Sequence, residues 1–277
     1  MLRSYPWPVT ERALNRFILD HASSRHIRSF VRLLFDCAMI DWKHIDTVLL
    51  DMDGTLLDLR YDNVLWNQCL PERYAHHHGV THHTARERIT QYMQSVRPSL
   101  AFYCTDAWTN FVGFDVAELH EQLHQAQPQL IAYRPAARQF VSRLIAMQKD
   151  VRLATNAHRA SLAVKHRATG IEHHLPHVYS AHDFGHAKED QQFWRKLSAQ
   201  HYFDPARTLM VDDTEVVLDA ARQFGIMHTI MVTTPDSSAA PRIAQRHNSI
   251  THFAQLLPEL TGAESFADPA LVTRAAT

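Results

Sequence analysis

Cysteine is scarce in this 277-residue chain: Cys37, Cys69 and Cys104 stand far apart, with no CxxC pair among them. So sparse and odd a set excludes a disulfide framework and indicates free thiols in a reducing compartment, each expected to pack as a small hydrophobe. Long apolar runs are also missing. None approaches the roughly 18 residues that a membrane span needs, and Glu11, Arg12, Arg16 and Asp20 interrupt any apolar core of a signal peptide. Charge of one sign is not in surplus either. A formal net charge of −1 creates no long-range field to gather nucleic acid or an acidic membrane. These absences predict a cytoplasmic protein without a membrane span or a nucleic-acid partner, which selects its partners through a local site.

What is present is an ordinary globular composition, 45% hydrophobic and 21% charged. Five short apolar runs, at residues 47–52, 151–155, 177–181, 208–211 and 229–233, alternate with helix-length segments. That alternation predicts βαβ units and a buried parallel sheet, a doubly wound α/β fold. Before the second strand, Pro135 suits a first helical turn, and Phe140, Val141, Leu144 and Ile145 form an apolar stripe. After the fourth strand the stripe is Val217, Ala220, Ala221 and Phe224, with Gly225 as the left-handed stop. Residues 58–133 are far too long for a simple crossover and are rich in helix formers and aromatics. They are expected to form an inserted α-helical cap on a core made of 39–57 and 134–262, with a tail at 263–277. Residues 1–38 carry an amphipathic pattern (Ile27, Phe30, Val31, Leu34, Phe35) flanked by arginines, which fits a surface or partner helix, a helix docked on its own domain, or a segment upstream of a start at Met39. Histidine is abundant, and the clusters at 76–78 and 82–83 read as a solvated helix end and loop.

The chemistry is concentrated in a few acids. Val48-Leu49-Leu50 leads into Asp51-Met52-Asp53-Gly54-Thr55, and Leu209-Met210-Val211 into Asp212-Asp213. Open α/β sheets bind ligands at the carboxyl ends of their strands. Two acidic pairs delivered there by neighbouring strands would repel unless a cation neutralises them, and clustered hard oxygens suit Mg²⁺. The alternative is two unrelated caps, with Asp213 starting the helix that follows. Thr155-Asn156 closes the second strand with a hydroxyl and helix-start amides, a natural anion site. Lys188 is read as opening the helix that carries Phe193, Trp194 and Leu197.

The order DxDGT, strand-end threonine, lysine, strand-end DD resembles the four motifs of the haloacid dehalogenase superfamily, over about residues 40–260. LLDMDGTLLDLRYDNVLW, AFYCTDAW, ATNAHRASLAVKHRATG, FGHAKEDQQFW and VDDTEVVLDAARQFGI are similar to its bacterial purine-monophosphate (GMP/IMP) phosphatases. The resemblance implies a Rossmann-like core with a cap between the first two motifs. It makes Asp51 the nucleophile, Asp53 the general acid/base, and Thr155 and Lys188 the phosphoryl binders. Asp51, the backbone carbonyl of Asp53, and Asp213 would hold Mg²⁺, assisted by Asp212. Two positions depart from the pattern: Val217 stands where many relatives carry a further acid, and Ala187 where they carry proline, which predicts a less rigid loop. A sugar-phosphate or phosphoglycolate phosphatase would share every core residue. A phospho-receiver module would present its acidic pair first and lack the cap. In the cap, Tyr103, Trp108 and Trp66 are candidates to stack on a purine.

Overall fold

The computed structural model describes residues 40–257. The helix expected within residues 1–38, Cys37 and the tail at 263–277 lie outside them.

The first strand, β1 (Thr47–Leu50), is buried at all its positions, as a strand covered on both faces must be. After it come helices α1 (Arg60–Val64), α2 (Leu70–His78), α3 (His82–Val96), α4 (Thr105–Val112) and α5 (Val116–Ala126), with a π turn at Leu65–Cys69 joining the first two. The chain continues through α6 (Ala137–Ala146), β2 (Asp150–Thr155), α7 (Arg159–Thr169), α8 (Ile171–His174), β3 (His177–Ser180), α9 (Ala181–Phe184) and α10 (Gln191–Gln200). It ends with β4 (Thr208–Asp212), α11 (Glu215–Phe224), β5 (His228–Val232) and β6 (Asn248–Ile250). The sheet order is β3-β2-β1-β4-β5-β6, parallel at every pairing. The chain winds outward from β1 to β3 and then returns to β4 on the other side of β1. The switch point therefore falls between β1 and β4, where a doubly wound sheet opens a crevice at its carboxyl end.

Leu49, Ala154, Met210 and Met231 share one face of the sheet and pack on Phe193, Trp194 and Leu197 of α10 and Val217, Leu218 and Ala221 of α11. Burying each of the larger side chains among them contributes about 1.5–3 kcal/mol. Strand alternation turns Val48 and Leu50 the opposite way. Phe140 of α6 meets Phe253 with ring centroids 4.9 Å apart. In the helical insertion the core is aromatic: Tyr92 stacks on Phe111 at 4.0 Å, and Trp108 packs against Trp66 at 5.1 Å.

Three local expectations are corrected. Pro135 stays outside α6, because Ala136 adopts a left-handed φ of 62° and separates it from the helix. Ile145 is 43% exposed, at the edge of the α6 stripe. The strand β6 was not anticipated, since Asn248 and Ser249 are exposed and only Ile250 turns inward. The histidines at 76–78 and 82–83 are exposed, as expected. No helix among the described residues is long and apolar enough to cross a membrane.

Candidate active site

The register pairs Leu50 with Val211, so the next residues on each strand, Asp51 and Asp212, emerge side by side. The Asp51 amide extends the ladder by donating to the Val211 carbonyl at 3.0 Å. Carboxylate oxygens of Asp51, Asp212 and Asp213 all lie within 4.8 Å of one another, and all three residues are buried. Lys188 reaches into the group from the loop before α10, its Nζ 2.5 Å from Asp51 Oδ1 and 2.8 Å from Asp212 Oδ2. Arg242 Nη1 donates to Asp213 Oδ2 at 2.8 Å and to its carbonyl at 3.1 Å. Burial pushes all three acids above the usual carboxylate range, with Lys188 opposing it at Asp51 and Asp212. Asp213 does not cap the following helix, because Thr214 occupies that position without a side-chain bond.

Gly54 is the residue on which this close approach depends. Its φ is +81°, and a Cβ there would lie 2.8 Å from Asp213 Cγ and 2.9 Å from Pro235 Cβ. The turn it permits returns the chain through a Gly54 amide to Leu57 carbonyl bond of 2.8 Å.

Asp53 meets a second lysine. Lys165, on α7, is buried with Nζ 2.6 Å from Asp53 Oδ1 and 2.8 and 2.9 Å from the two oxygens of Asp62. Burial, followed by the charge of Asp53, pushes Asp62 upward. Neither Lys165 nor Asp62 was singled out from the sequence. Both sit on helices, where a lone charged residue ordinarily faces solvent.

Thr155 and Asn156 close β2 as expected, but α7 begins at Arg159 with His158 as its cap, so they precede the helix start by a turn. The Thr155 hydroxyl accepts the Ala157 amide at 3.0 Å. Lys188 likewise precedes α10, which begins at Gln191 behind the capping Asp190. The loop around Lys188 is fixed despite Ala187. The Lys188 amide donates to Asn156 Oδ1 at 2.8 Å, and its carbonyl accepts Trp194 Nε1–H at 2.7 Å. Asn156 Nδ2 donates to Glu189 at 2.9 Å. Val217 is buried and offers no acid.

These groups floor a cavity of about 600 Å³ between the strand ends and the helical insertion. Trp66, Tyr103 and Trp108 all reach its wall. Trp108, 1% exposed, is pinned through Nε1–H to the Phe102 carbonyl at 2.8 Å, as a core residue would be. The Tyr103 hydroxyl is held by Glu189 at 2.6 Å. Trp66 and Phe102 are only half-buried, and Arg97 lies 4.2 Å over the Phe102 ring.

Comparison with known proteins agrees with this architecture. Residues 45–225 match the model of the haloacid dehalogenase-like hydrolases. Two proteins named GMP/IMP nucleotidase YrfG, from Escherichia coli (strain K12) and Shigella flexneri, are each 41% identical over 221 residues, covering 80% of this chain and 98% of theirs. The crystal structure of a HAD phosphatase from Thermococcus onnurineus superposes with a TM-score of 0.62 at 17% identity, covering 76% of this chain and 96% of that one, a likeness of fold.

Proposed function

The chain belongs to the haloacid dehalogenase-like hydrolases, and from that membership and the site geometry we propose that it is a cytoplasmic, Mg²⁺-dependent phosphatase acting through a phospho-aspartate on Asp51, with the purine nucleoside 5′-monophosphates GMP and IMP as substrates. The observation that carries the proposal is the charge balance at the carboxyl end of the sheet. Three buried carboxylates face two cations, Lys188 and Arg242, so with all three acids ionised one net negative charge remains where a phosphate dianion must bind. Only a further cation makes that site hospitable.

The donor set fits Mg²⁺. Its bonds of about 2.0–2.1 Å to oxygen place octahedral ligands roughly 2.9 to 4.2 Å apart, within the 4.8 Å spread of Asp51, Asp212 and Asp213. Those residues and the Asp53 carbonyl would hold the ion, Asp212 directly or through water, with Arg242 free to turn from Asp213 toward solvent. Once bound, the ion offsets charge on the phosphoryl oxygens.

In the proposed reaction a carboxylate oxygen of Asp51 bonds to phosphorus as the bond from phosphorus to the ribose oxygen breaks. Lys188, now 2.5 Å from Asp51, opposes the protonation that burial favours there and then meets the phosphoryl oxygens. The Thr155 hydroxyl donates its proton to one of them. Asp53 delivers a proton to the departing oxygen and later takes one from the water that hydrolyses the acyl phosphate, transfers typically worth ~10²–10⁴ each. The Asp53–Lys165–Asp62 group suits this task, because the Lys165 ammonium, 2.6 Å from Asp53 and shared with Asp62, holds the Asp53 carboxyl in place. The helical insertion acts as the cap, with Trp66 and Phe102 as the half-open surfaces for a base.

The test is phosphate release with Mg²⁺ from GMP, IMP, AMP, UMP, phosphoglycolate and sugar phosphates. GMP and IMP should show the highest kcat/KM. A sugar phosphate or phosphoglycolate in first place would assign that substrate instead, and no release from any of them would end the phosphatase reading.

A further inference from the structure

Away from the carboxylates, Cys104, His158 and His182 bring a thiol and two imidazole nitrogens within 4.8 Å of one another. They come from separate parts of the chain: Cys104 precedes α4 in the helical insertion, His158 caps α7, and His182 lies in α9. The proposed hydrolysis uses none of them, and Cys104 and His182 do not line the cavity.

Two features distinguish this group from a chance meeting of side chains. Nε2 of His182 is buried with no hydrogen-bond partner, a condition that buried polar atoms avoid. His158 Nδ1 lies 2.6 Å from Thr105 Oγ1. The same Nδ1 accepts the Ala160 amide at 3.4 Å, so Thr105 Oγ1 donates to it, the ring is held from both sides, and a metal at Nε2 would displace the proton carried there. Asp106 Oδ2 is 3.8 Å from the same Nε2 and offers a fourth donor. The two imidazoles meet edge to face, with centroids 4.7 Å apart and an interplanar angle of 86°.

We propose that Cys104, His158 and His182 form a binding site for Zn²⁺ or a similar borderline-soft divalent cation, which ties the helical insertion to the core. Thiolate and imidazole select such ions over Mg²⁺. Bonds of about 2.0–2.3 Å in a tetrahedral site place the donors roughly 3.3–3.7 Å apart, so side-chain torsions need to move them by about 1 Å. Binding displaces the thiol proton to solvent, and Asp106 or a water completes the shell.

The test uses the full chain, stripped of metal and titrated with Co²⁺ under excess Mg²⁺. One equivalent should produce a thiolate-to-cobalt charge-transfer band that Zn²⁺ abolishes. Cys104→Ser should lose the band, His182→Asn should weaken Co²⁺ binding at least tenfold, and Cys104→Ser should keep its Mg²⁺-supported phosphatase rate, which shows that it folds. Zn²⁺ at about a hundredfold excess over Kd should raise the Tm of the parent chain by roughly 5 °C and leave that of Cys104→Ser unmoved. A parent chain without the band, or a band undiminished in Cys104→Ser, overturns the site.

Discussion

Two buried lysines serve the cavity, and each bridges two carboxylates. Lys188 joins Asp51 to Asp212, while Lys165 joins Asp53 to Asp62. The first group is built on adjacent strand ends and the loop before α10. The second spans the turn after β1, a helix of the insertion and a helix of the core. The difference assigns separate duties. A site on strand ends is fixed by the sheet and suits bond making at phosphorus. A site shared with the insertion responds to how the insertion sits, and suits control of the proton. In the proposed mechanism Asp51 and Asp53, two residues apart, thus answer to different lysines.

Substitutions can break that division, and the largest effect is expected at the nucleophile. Asp51→Asn should lower turnover at least ~10⁴-fold in a protein that stays folded, since a lost nucleophile removes the whole covalent route. Near-normal phosphate release would reassign the nucleophile. Lys165→Met should lower kcat by ~10²–10³ with the apparent Mg²⁺ affinity retained, and should destabilise the fold by ~1–3 kcal/mol, because it leaves two half-buried acids without their shared cation. Denaturant titration and Mg²⁺-dependent kinetics on the same variant separate these effects. An altered Mg²⁺ requirement would join the two lysine groups into one. Gly54→Ala should raise the Mg²⁺ needed for half-maximal rate by about tenfold and cost ~1–3 kcal/mol, since the added Cβ meets Asp213 in a left-handed turn.

The two lysine groups were not equally legible in the sequence. Asp51, Asp212 and Asp213 end apolar strands, and a parallel sheet brings neighbouring strand ends together whatever the details of packing. Lys188 was legible by its order in the chain, although it belongs to a loop and not to the helix start. Lys165 and Asp62 carry no such signal. Their meeting depends on how α1 and α7 pack, 103 residues apart in the chain, and no period or motif encodes that. Arg242 lies in an irregular stretch between β5 and β6 and was missed for the same reason. The insertion itself was evident from its length, whereas its aromatic wall was not: Trp108 was a stacking candidate, and the fold uses it as core.

An effect on stability alone, with none expected on turnover, concerns the floor of the insertion. His120 is buried, with the Tyr61 hydroxyl donating to its carbonyl at 2.9 Å, and burial, with Lys165 nearby, pushes its imidazole down to about 3. A depressed imidazole binds its proton more weakly in the folded chain than in the unfolded one. Its contribution is therefore complete above about 6.5 and lost as pH falls toward 3, at ~1.4 kcal/mol per pH unit. The difference in unfolding free energy between the parent chain and His120→Gln, followed by denaturant titration from pH 7 to 4, should carry that slope. A constant difference would remove His120 from the account.

The most direct test of the central claim is to quench the working enzyme in acid, reduce it with borohydride and map the peptides. An acyl phosphate on Asp51 predicts conversion of that residue alone to homoserine, dependent on substrate and Mg²⁺. Turnover with Asp51 unmodified, or with the reduced residue at another position, would contradict it.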